Sequence, residues 1–355
     1  MAAGLATRVV RWQEIHGRND LPWQNTRDPY RVWLSEIMLQ QTQVATVKDY
    51  YARFLARFAD VRALAGADLD DVLALWSGLG YYSRARNLYR CAVQIVTLHG
   101  GVFPQSAEVL QTLPGIGRST AAAIAAICFG QRVAILDGNV KRVLSRALAF
   151  EADLSVAANS RALWDQAEKL LPDKDLKRTM PRYTQGLMDL GATVCSTRKP
   201  ECGTCPLAVL CVAKSMGTQL QFPVKSKKIK RSAQTIWMLW ALAPDGSVWL
   251  GKRPAPGVWA GLYCFPLFDD WASLEAAVPD RYRTKLEVSA VVKHVLTHKD
   301  LYLHPVQVEL PTASIKEADG TWLKPEQWRE MGLPAPIRKL LLSSRQEKLI
   351  SRQPA

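Results

Sequence analysis

Four cysteines lie within a short stretch of the chain, at Cys195, Cys202, Cys205 and Cys211, in the pattern C-x6-C-x2-C-x5-C. Thiolates are soft ligands, so four of them this close together indicate a metal centre rather than a disulfide framework. Structural zinc sites more often use two short pairs separated by a longer loop, whereas this stretch has one short pair and two wider steps. The spacing therefore favours a 4Fe-4S cluster, with a single zinc ion as the alternative.

Two carboxyl groups lie in contrasting sequence surroundings. Glu36 lies in the stretch VWLSEIMLQQTQV, on the border of a helical apolar stripe, where partial burial favours the neutral form that can donate a proton. Asp137 precedes the start of a helix, where amides and the helix dipole favour the charged form. Such a pair suits cleavage of a glycosidic bond. The ordinary alternatives are a solvated glutamate and a simple N-cap aspartate.

A tight turn in the stretch LPGIGRSTAAAIAAICF precedes Asp137. Gly115 and Gly117 allow the turn, and its amides lead into an Ala-rich helix, which is a suitable site for a phosphate. Two loop glycines also occur in ordinary turns. Together with the aspartate, however, the turn indicates an enzyme that holds a nucleic-acid backbone and acts on its sugar.

The elements that must position these side chains differ between the two halves of the chain. Residues 1 to 215 show helical periodicity throughout, and Asp28 with Pro29 marks a helix start. Residues 216 to 233 are polar and then basic, which is typical of a linker. Residues 234 to 355 predict an α+β domain. The predicted helices span 47–57, 68–76, 82–98, 106–112, 118–128, 139–149, 158–171, 180–192, 271–278 and 336–349, and the predicted strands span 235–243, 247–253, 261–268 and 300–310.

Composition limits the functional class. The 355 residues are enough for two domains, and the formal net charge of +14 with a sequence pI near 9.5 favours a polyanionic partner. No stretch approaches the ~20 apolar residues of a membrane span, and the first residues lack a signal-peptide core. We expect a monomer without a membrane partner, located in the cytoplasm and associated with the nucleoid if the source is a bacterium.

The ordered set of motifs resembles the helix-hairpin-helix superfamily of DNA glycosylases, and most closely the MutY-type adenine DNA glycosylases. The stretches that carry the resemblance, apart from the four cysteines, are LPW at 21–23, DPYRVWLSEIMLQQTQV at 28–44, LWSGLGYYSRARNL at 75–88, LPGIGRST at 113–120, ILDGNVKRVLSR at 135–146 and GVWAGLYCFP at 257–266. The resemblance implies an all-α helix-hairpin-helix glycosylase domain over 1–215. It has its hairpin near 106–128 and an iron-sulfur cluster loop at 195–211. An α+β Nudix-like domain over 234–355 follows the basic linker at 216–233.

The resemblance also implies roles in removing adenine mispaired with 8-oxoguanine or guanine in double-stranded DNA. Glu36 would protonate the adenine, Asp137 would stabilise the sugar cation, and Asn139 would hold the reacting groups. Trp23 would line the adenine pocket.

Further residues would contact the DNA. Gly115, Gly117 and Ser119 belong to the hairpin that binds it, and Gln41 and Tyr81 would fill the stack where the base is flipped out. Simple packing is the alternative explanation for the tyrosine.

Ser119 occupies the position where relatives such as endonuclease III carry a lysine that attacks the sugar. A serine cannot form that Schiff base, so the resemblance implies a monofunctional glycosylase rather than a bifunctional glycosylase and lyase. Lys141 would contact phosphate or solvent. Phe129 stands where some relatives have a tyrosine.

The C-terminal half would recognise the base opposite adenine. The family's Phe-Ser-His signature is only partly kept in KHVLTHK, which places Thr297 and His298 there. Nucleotide hydrolysis is an alternative because the domain resembles Nudix hydrolases, but the chain lacks the glutamate-rich helix that holds their magnesium ions. A DNA-damage-binding protein without chemistry is a second alternative, against which both carboxyls argue.

Overall fold

The computed structural model describes residues 2–226, 230–314 and 320–350, and the side chains of residues 4–226, 230–314 and 320–343. These residues form two compact units, one of Met1–Gly66 with Asn87–Lys228 and one of Ala67–Arg86 with Ile229–Ala355. The predicted domain boundaries at 215 and 234 stay predictions, and linker residues 227–229 lie outside the described part. The segment 67–86 belongs to the second unit, although its sequence lies within the helical half.

The regular elements described before residue 226 are all helical, as the periodicity predicts. The helices are α1 (Ala2–His16), α2 (Pro29–Met38), α3 (Val44–Arg57), α4 (Val61–Ala65), α5 (Leu69–Trp76), α6 (Ser83–His99), α7 (Ala107–Leu110), α8 (Arg118–Phe129), α9 (Gly138–Ala147), α10 (Ala157–Lys169), α11 (Leu176–Thr193) and α12 (Val212–Ser215).

Helix α2 begins where the sequence predicts. The side chain of Asp28 accepts a hydrogen bond from the amide of Tyr30 at 2.9 Å, and Pro29 occupies the first helical position. The helix then buries one face, including Trp33 and Met38, which are completely inaccessible to solvent. This face fixes the rotation of α2 and therefore the direction in which Glu36 points.

Small residues let the helices of the first unit approach closely. The Ala-rich helix α8 buries residues 121–127 and packs against α2 and α11. On α11, a Cβ atom at Gly191 would lie 2.6 Å from the Cβ atom of Asn139 on α9. Since such a distance is a clash, glycine is required for α11 to contact the first turn of α9.

The second unit contains a mixed sheet with the strand order β3-β2-β1-β7-β5; β4 pairs with β1, β6 with β7 and β8 with β2. Its elements are β1 (Ser232–Leu242), β2 (Val248–Lys252), β3 (Tyr263–Cys264), β4 (Leu267–Phe268), α13 (Trp271–Ala276), α14 (Asp280–Arg283), β5 (Glu287–Val288), β6 (Val292–Val295), β7 (Lys299–Glu309), β8 (Gly320–Leu323), α15 (Pro325–Arg329) and α16 (Ala335–Ile350).

Strands β1 and β7 run parallel along their full length, from Ser232 opposite Lys299 to Leu242 opposite Glu309. The predicted tight turn between β1 and β2 is confirmed, because these strands pair antiparallel at Leu242 and Val248. The core beneath the sheet contains Leu239, Ala241, Trp249, Leu274, Val278, Val306, Val308 and Leu310. This α+β arrangement is the one that the sequence predicts for the second half.

One predicted strand is wrong. Residues 261–268 form two short strands, of which β3 pairs with β2 and β4 pairs with β1. The break falls at Phe265 and Pro266, because proline has no N–H group to continue the ladder. The carbonyl of Pro266 instead accepts a hydrogen bond from the amide of Leu239 at 3.0 Å.

In the part of the chain that is described, none of the helices combines the length and apolarity that crossing a membrane requires.

Candidate active site

Glu36 projects from α2 among side chains that exclude water. Its neighbours Ser35 and Ile37 are buried, while Glu36 itself keeps part of its side chain exposed. Loss of water around the carboxyl raises the pKa of Glu36 to about 7, and the negative charge of Asp137 raises it further toward that value. Glu36 can therefore be protonated near neutral pH, as the sequence predicts from its position beside the apolar stripe.

Asp137 caps the N-terminus of α9. Its Oδ1 atom accepts a hydrogen bond from the amide of Val140 at 2.7 Å. Burial nevertheless raises the pKa of Asp137, against the lowering effects of the Val140 and Asn139 amides and of the charges on Arg142 and Lys141. The sequence predicts that the helix start would lower the pKa of Asp137, and this prediction is wrong. The loss of water around the carboxyl raises the pKa by more than the amide hydrogen bonds lower it.

The hairpin lies next to the aspartate. Helix α7, the turn that follows it and helix α8 form the hairpin, and Gly115 has a φ of 77°, where a Cβ atom would lie 2.7 Å from the Cβ atom of Asn87. Gly117 is the N-cap of α8 and provides no capping side chain, so within the described chain the first-turn amides of α8 lack a side-chain acceptor. These amides can therefore bind an anion.

Ser119 connects the hairpin to Asp137. Its Oγ atom accepts a hydrogen bond from the amide of Leu136 at 3.0 Å, and Leu136 is only 2% exposed. The serine oxygen thus holds the backbone one residue before the aspartate. This contact gives Ser119 an internal role in addition to the DNA-binding role that the sequence predicts for it.

Asn139 lies in the first turn of α9, beside the cap. Its Oδ1 atom accepts a hydrogen bond from Arg142 at 2.9 Å, and the same guanidinium donates to the carbonyls of Gly191 and Cys195 at 2.6 and 2.8 Å. The side chain of Asn139 is therefore fixed by an arginine that also contacts the cysteine-containing stretch.

Arg146, one turn further along α9, is almost completely buried at 2% exposure. Its guanidinium donates to the carbonyls of Ser196 and Thr197 at 2.7 and 3.0 Å and to the Sγ atom of Cys195 at 3.3 Å. Sequence reasoning missed both arginines. The detectable signal was their spacing of one helical turn on the helix that Asp137 begins.

The four cysteines surround one cavity, together with Arg146, Leu190, Gln219 and other residues of the same unit. All four are free thiols, and Gln219 donates to the Sγ atom of Cys202 at 3.8 Å. Burial raises the pKa of Cys205 to about 11 and that of Cys211 above its ordinary value. Burial therefore disfavours the thiolate form of Cys205 and Cys211.

Thiolates are the ligands of both structural zinc sites and iron-sulfur clusters, so four cysteines around one cavity suit either group. Among the described residues, no group of three or more His, Cys, Asp or Glu side chains is placed to hold a metal ion.

The predicted base-contacting residues of the first unit, Trp23 and Gln41, differ in solvent exposure. Trp23 is 6% exposed and packs edge to face on Tyr51, with ring centroids 5.3 Å apart. Gln41 follows α2 in an exposed turn and has a φ of 57°. Phe129 is the last residue of α8. Backbone strain of the kind at Gln41 is more common at functional positions than elsewhere.

Tyr81, Thr297 and His298 all belong to the second unit. Tyr81 also has a positive φ, 48°, and its hydroxyl lies 2.7 Å from that of Thr297. Thr297 and His298 are exposed at the turn between β6 and β7. The structure therefore brings a predicted stack-filling residue together with a predicted reader of the opposite base.

Two family models match separate parts of the chain, and adenine DNA glycosylases are similar to it in sequence. Residues 34–169 match the HhH-GPD superfamily of base excision DNA repair proteins, and residues 237–343 match the NUDIX domain. The adenine DNA glycosylase of Buchnera aphidicola subsp. Acyrthosiphon pisum (strain APS) is 35% identical over 341 residues, which cover 94% of this chain and 95% of the relative. The human adenine DNA glycosylase is 46% identical over 222 residues, which cover 60% of this chain and 40% of that protein.

A solved thermostable thymine-DNA glycosylase is similar in structure. It has a TM-score of 0.52 and 29% identity, and the match covers 59% of this chain and 95% of that one. The predicted fold class, a helical hairpin domain followed by a Nudix-like α+β domain, is thus confirmed.

The electrostatic coupling between the two carboxyls can be measured directly. Replacing Asp137 with Asn removes the charge that raises the pKa of Glu36, so this pKa should fall below about 7 while staying above its ordinary value because of burial. A carbon-13 NMR titration of the Glu36 carboxyl would follow the change. Asp49→Asn, at an exposed position of α3, should leave the titration unchanged. An unaltered Glu36 titration in Asp137→Asn would contradict the coupling.

Proposed function

The chain belongs to the adenine DNA glycosylase family, and on that premise we propose that it removes adenine opposite 8-oxoguanine or guanine in duplex DNA and leaves the strand intact. The observation that carries this proposal is the Glu36 carboxyl, whose pKa lies at about 7 beside Asp137. A general acid works best when its pKa is near the working pH, because it is then both protonated and ready to release the proton.

The proposed reaction divides the work between the two carboxyls. Glu36 gives its proton to the adenine while the bond between the base and C1′ of the sugar breaks with its electrons moving to the base. Asp137, which caps α9, would face the positive charge that develops on the sugar. Water then forms the new bond at C1′ and releases one proton to solvent, which leaves a neutral sugar hydroxyl. Asn139, held by Arg142, keeps the aspartate end of the site in place.

Ser119 supports a monofunctional reaction. A lyase of the endonuclease III kind needs an amine at this position, whereas Ser119 presents a hydroxyl whose oxygen already accepts the Leu136 amide. Water is therefore the proposed nucleophile. The first-turn amides of α8, reached through the turn at Gly115 and Gly117, would bind a DNA phosphate.

Several residues are assigned to base flipping and to recognition of the opposite base. We assign the adenine pocket wall to Trp23 and the filling of the vacated stack to Gln41 and Tyr81, whose backbones have positive φ values. Thr297 and His298, exposed at one hairpin turn, would contact the opposite base. The net charge of +14 supports binding to duplex DNA, and we place the enzyme, as a monomer, in the cytoplasm, with association to the nucleoid if the source is a bacterium.

We assign a 4Fe-4S cluster to Cys195, Cys202, Cys205 and Cys211. The shared cavity, the soft donors and the C-x6-C-x2-C-x5-C spacing support it. When bound, the cluster would cross-link residues 195–211. Arg146 would donate to Cys195 and lower the cost of its negative charge.

The alternative of nucleotide hydrolysis has less support. Helix α13, WASLEA, contains one glutamate, and α15, PEQWR, also contains one. A site for the magnesium ions of Nudix hydrolases needs several carboxylates close together.

The main test is excision of adenine from duplexes under single-turnover conditions. The enzyme should release adenine opposite 8-oxoguanine and opposite guanine, spare adenine opposite thymine, and lose rate as pH rises above about 7 because Glu36 loses its proton. Glu36→Gln should lower the rate at least ~100-fold, whereas the exposed Glu151→Gln should not. A Glu36→Gln enzyme of normal rate would refute the assignment of the acid.

Strand cleavage separates the monofunctional reaction from the bifunctional one. The wild type should leave abasic sites that break only in alkali. Ser119→Lys should gain borohydride trapping and some strand cleavage, since it supplies an amine, but it should excise more slowly because the Leu136 amide loses its acceptor. Ser119→Thr keeps the hydroxyl and should behave as the wild type. Efficient cleavage by the wild type without alkali would exclude the monofunctional proposal.

Metal analysis tests the cluster. The purified protein should be brown and contain about four irons per chain. Cys205→Ser should lose iron and colour, while Cys128→Ser, a free cysteine outside the cavity lining, should keep both. One zinc per chain in a colourless, active protein would show that the alternative metal is correct.

A further inference from the structure

An arginine at the start of α8 lies against a buried tryptophan of α10. The Cζ atom of Arg118 lies 4.0 Å from the centroid of the Trp164 ring, well within the range of a cation–π contact. Arg118 is the first residue of α8 and is exposed, whereas Trp164 is only 8% exposed. The guanidinium therefore has a buried ring on one side and solvent on the other.

The guanidinium of Arg118 also has hydrogen-bond donors that the protein does not use. Within the described part of the chain, no carboxylate or carbonyl oxygen accepts from it. Guanidinium groups that lie over an aromatic ring use their face for that contact, and their N–H groups point outward from the edge. Pairs of N–H groups in one plane match two oxygens of a phosphate. Arg118 can therefore bind an anion without losing its contact with the tryptophan.

Packing alone does not explain a tryptophan at position 164. The Nε1–H group of Trp164 is buried and has no acceptor among the described residues. A buried donor without a partner lowers stability, and a leucine would bury apolar surface here without that cost. What the tryptophan adds is an aromatic face against Arg118.

Helix α10 is tied to the segment that leads to Asp137. One turn after the tryptophan, the Oε1 atom of Glu168 accepts a hydrogen bond from the amide of Ala134 at 3.2 Å. On α8, Ser119 holds the same segment through the amide of Leu136 at 3.0 Å. The two helices and the segment therefore fix one another, and they fix the tryptophan on which the arginine lies.

We propose that Arg118 binds a phosphate of the DNA backbone at the hairpin and that Trp164 is the positioning residue that holds the guanidinium there. This inference rests on the proposed function, in which the first-turn amides of α8 bind a DNA phosphate. It adds a charged side chain to those neutral donors. Because a guanidinium held on a ring loses less freedom on binding than a solvated one, the tryptophan strengthens the contact.

The first test removes the charge. It measures binding of the full chain to a duplex with a tetrahydrofuran abasic analogue opposite guanine, from which no base can be released, by fluorescence anisotropy between about 50 and 200 mM salt. Arg118→Gln should weaken binding about 10-fold, the effect of one hydrogen bond to a charged group. It should also reduce the slope of log K against log salt by about 0.9, the value for one phosphate contact. Arg8→Gln, at an exposed position of α1, should change neither quantity.

The second test separates positioning from charge. Trp164→Leu keeps the charge of Arg118, so it should weaken binding about 2- to 5-fold while the salt slope stays near that of the wild type. Trp164→Phe keeps an aromatic face and should recover most of the loss. In the Arg118→Gln background, Trp164→Leu should weaken binding no further, since the tryptophan acts through the arginine. Damage to the fold by Trp164→Leu would instead weaken binding in both backgrounds.

Three outcomes would overturn the inference. An unchanged salt slope in Arg118→Gln would show that the arginine contacts no phosphate. Equal slope changes in Arg118→Gln and Arg8→Gln would assign the effect to net charge. Equal weakening by Trp164→Leu with and without Arg118 would leave the tryptophan a role in folding only. A wild type that binds this duplex with the expected salt slope but releases no adenine would refute the proposed function and leave the phosphate contact standing.

Discussion

Exclusion of water from the Glu36 carboxyl is the constraint on which the catalytic unit depends. A glutamate on a solvated helix would be charged at neutral pH and could not donate a proton. The buried face of α2 and the Ala-rich helix α8 that packs against it remove that water. Because alanine side chains are short, α8 can approach α2 closely, and the sequence AAAIAAI is thus part of what sets the pKa of Glu36.

Helix α9 connects the second carboxyl to the cysteine-containing stretch. It begins at Asp137, and Arg142 and Arg146 reach from it to the carbonyls of residues 191 to 197. Gly191 allows the close approach that these contacts need. Displacing the cysteine stretch would therefore disturb the anchoring of the helix that positions Asp137.

The sequence predicts local features better than the environment of a side chain. The cap at Asp28 and Pro29 and the turn from β1 to β2 follow from nearby residues, and the structure confirms them. The spacing of Arg142 and Arg146 was visible in the sequence, but the burial of Arg146 was not, because a helical arginine is exposed unless distant carbonyls accept from it. The expectation of a lowered pKa at Asp137 was wrong for the same reason. The amide donors that lower this pKa are local, whereas the burial that raises it comes from the surrounding fold.

The raised pKa of Glu36 also has a cost in stability. The folded-state value of about 7 lies above the ordinary value of 4.5, so the unfolded chain releases this proton more readily. Stability should consequently fall as pH rises between these values, by up to about 3 kcal/mol at 1.4 kcal/mol per pKa unit. The same loss of water on which the proposed acid role of Glu36 rests therefore opposes folding at neutral pH. A glutamine there would avoid this penalty, so a carboxyl at this position favours a role in chemistry over one in folding.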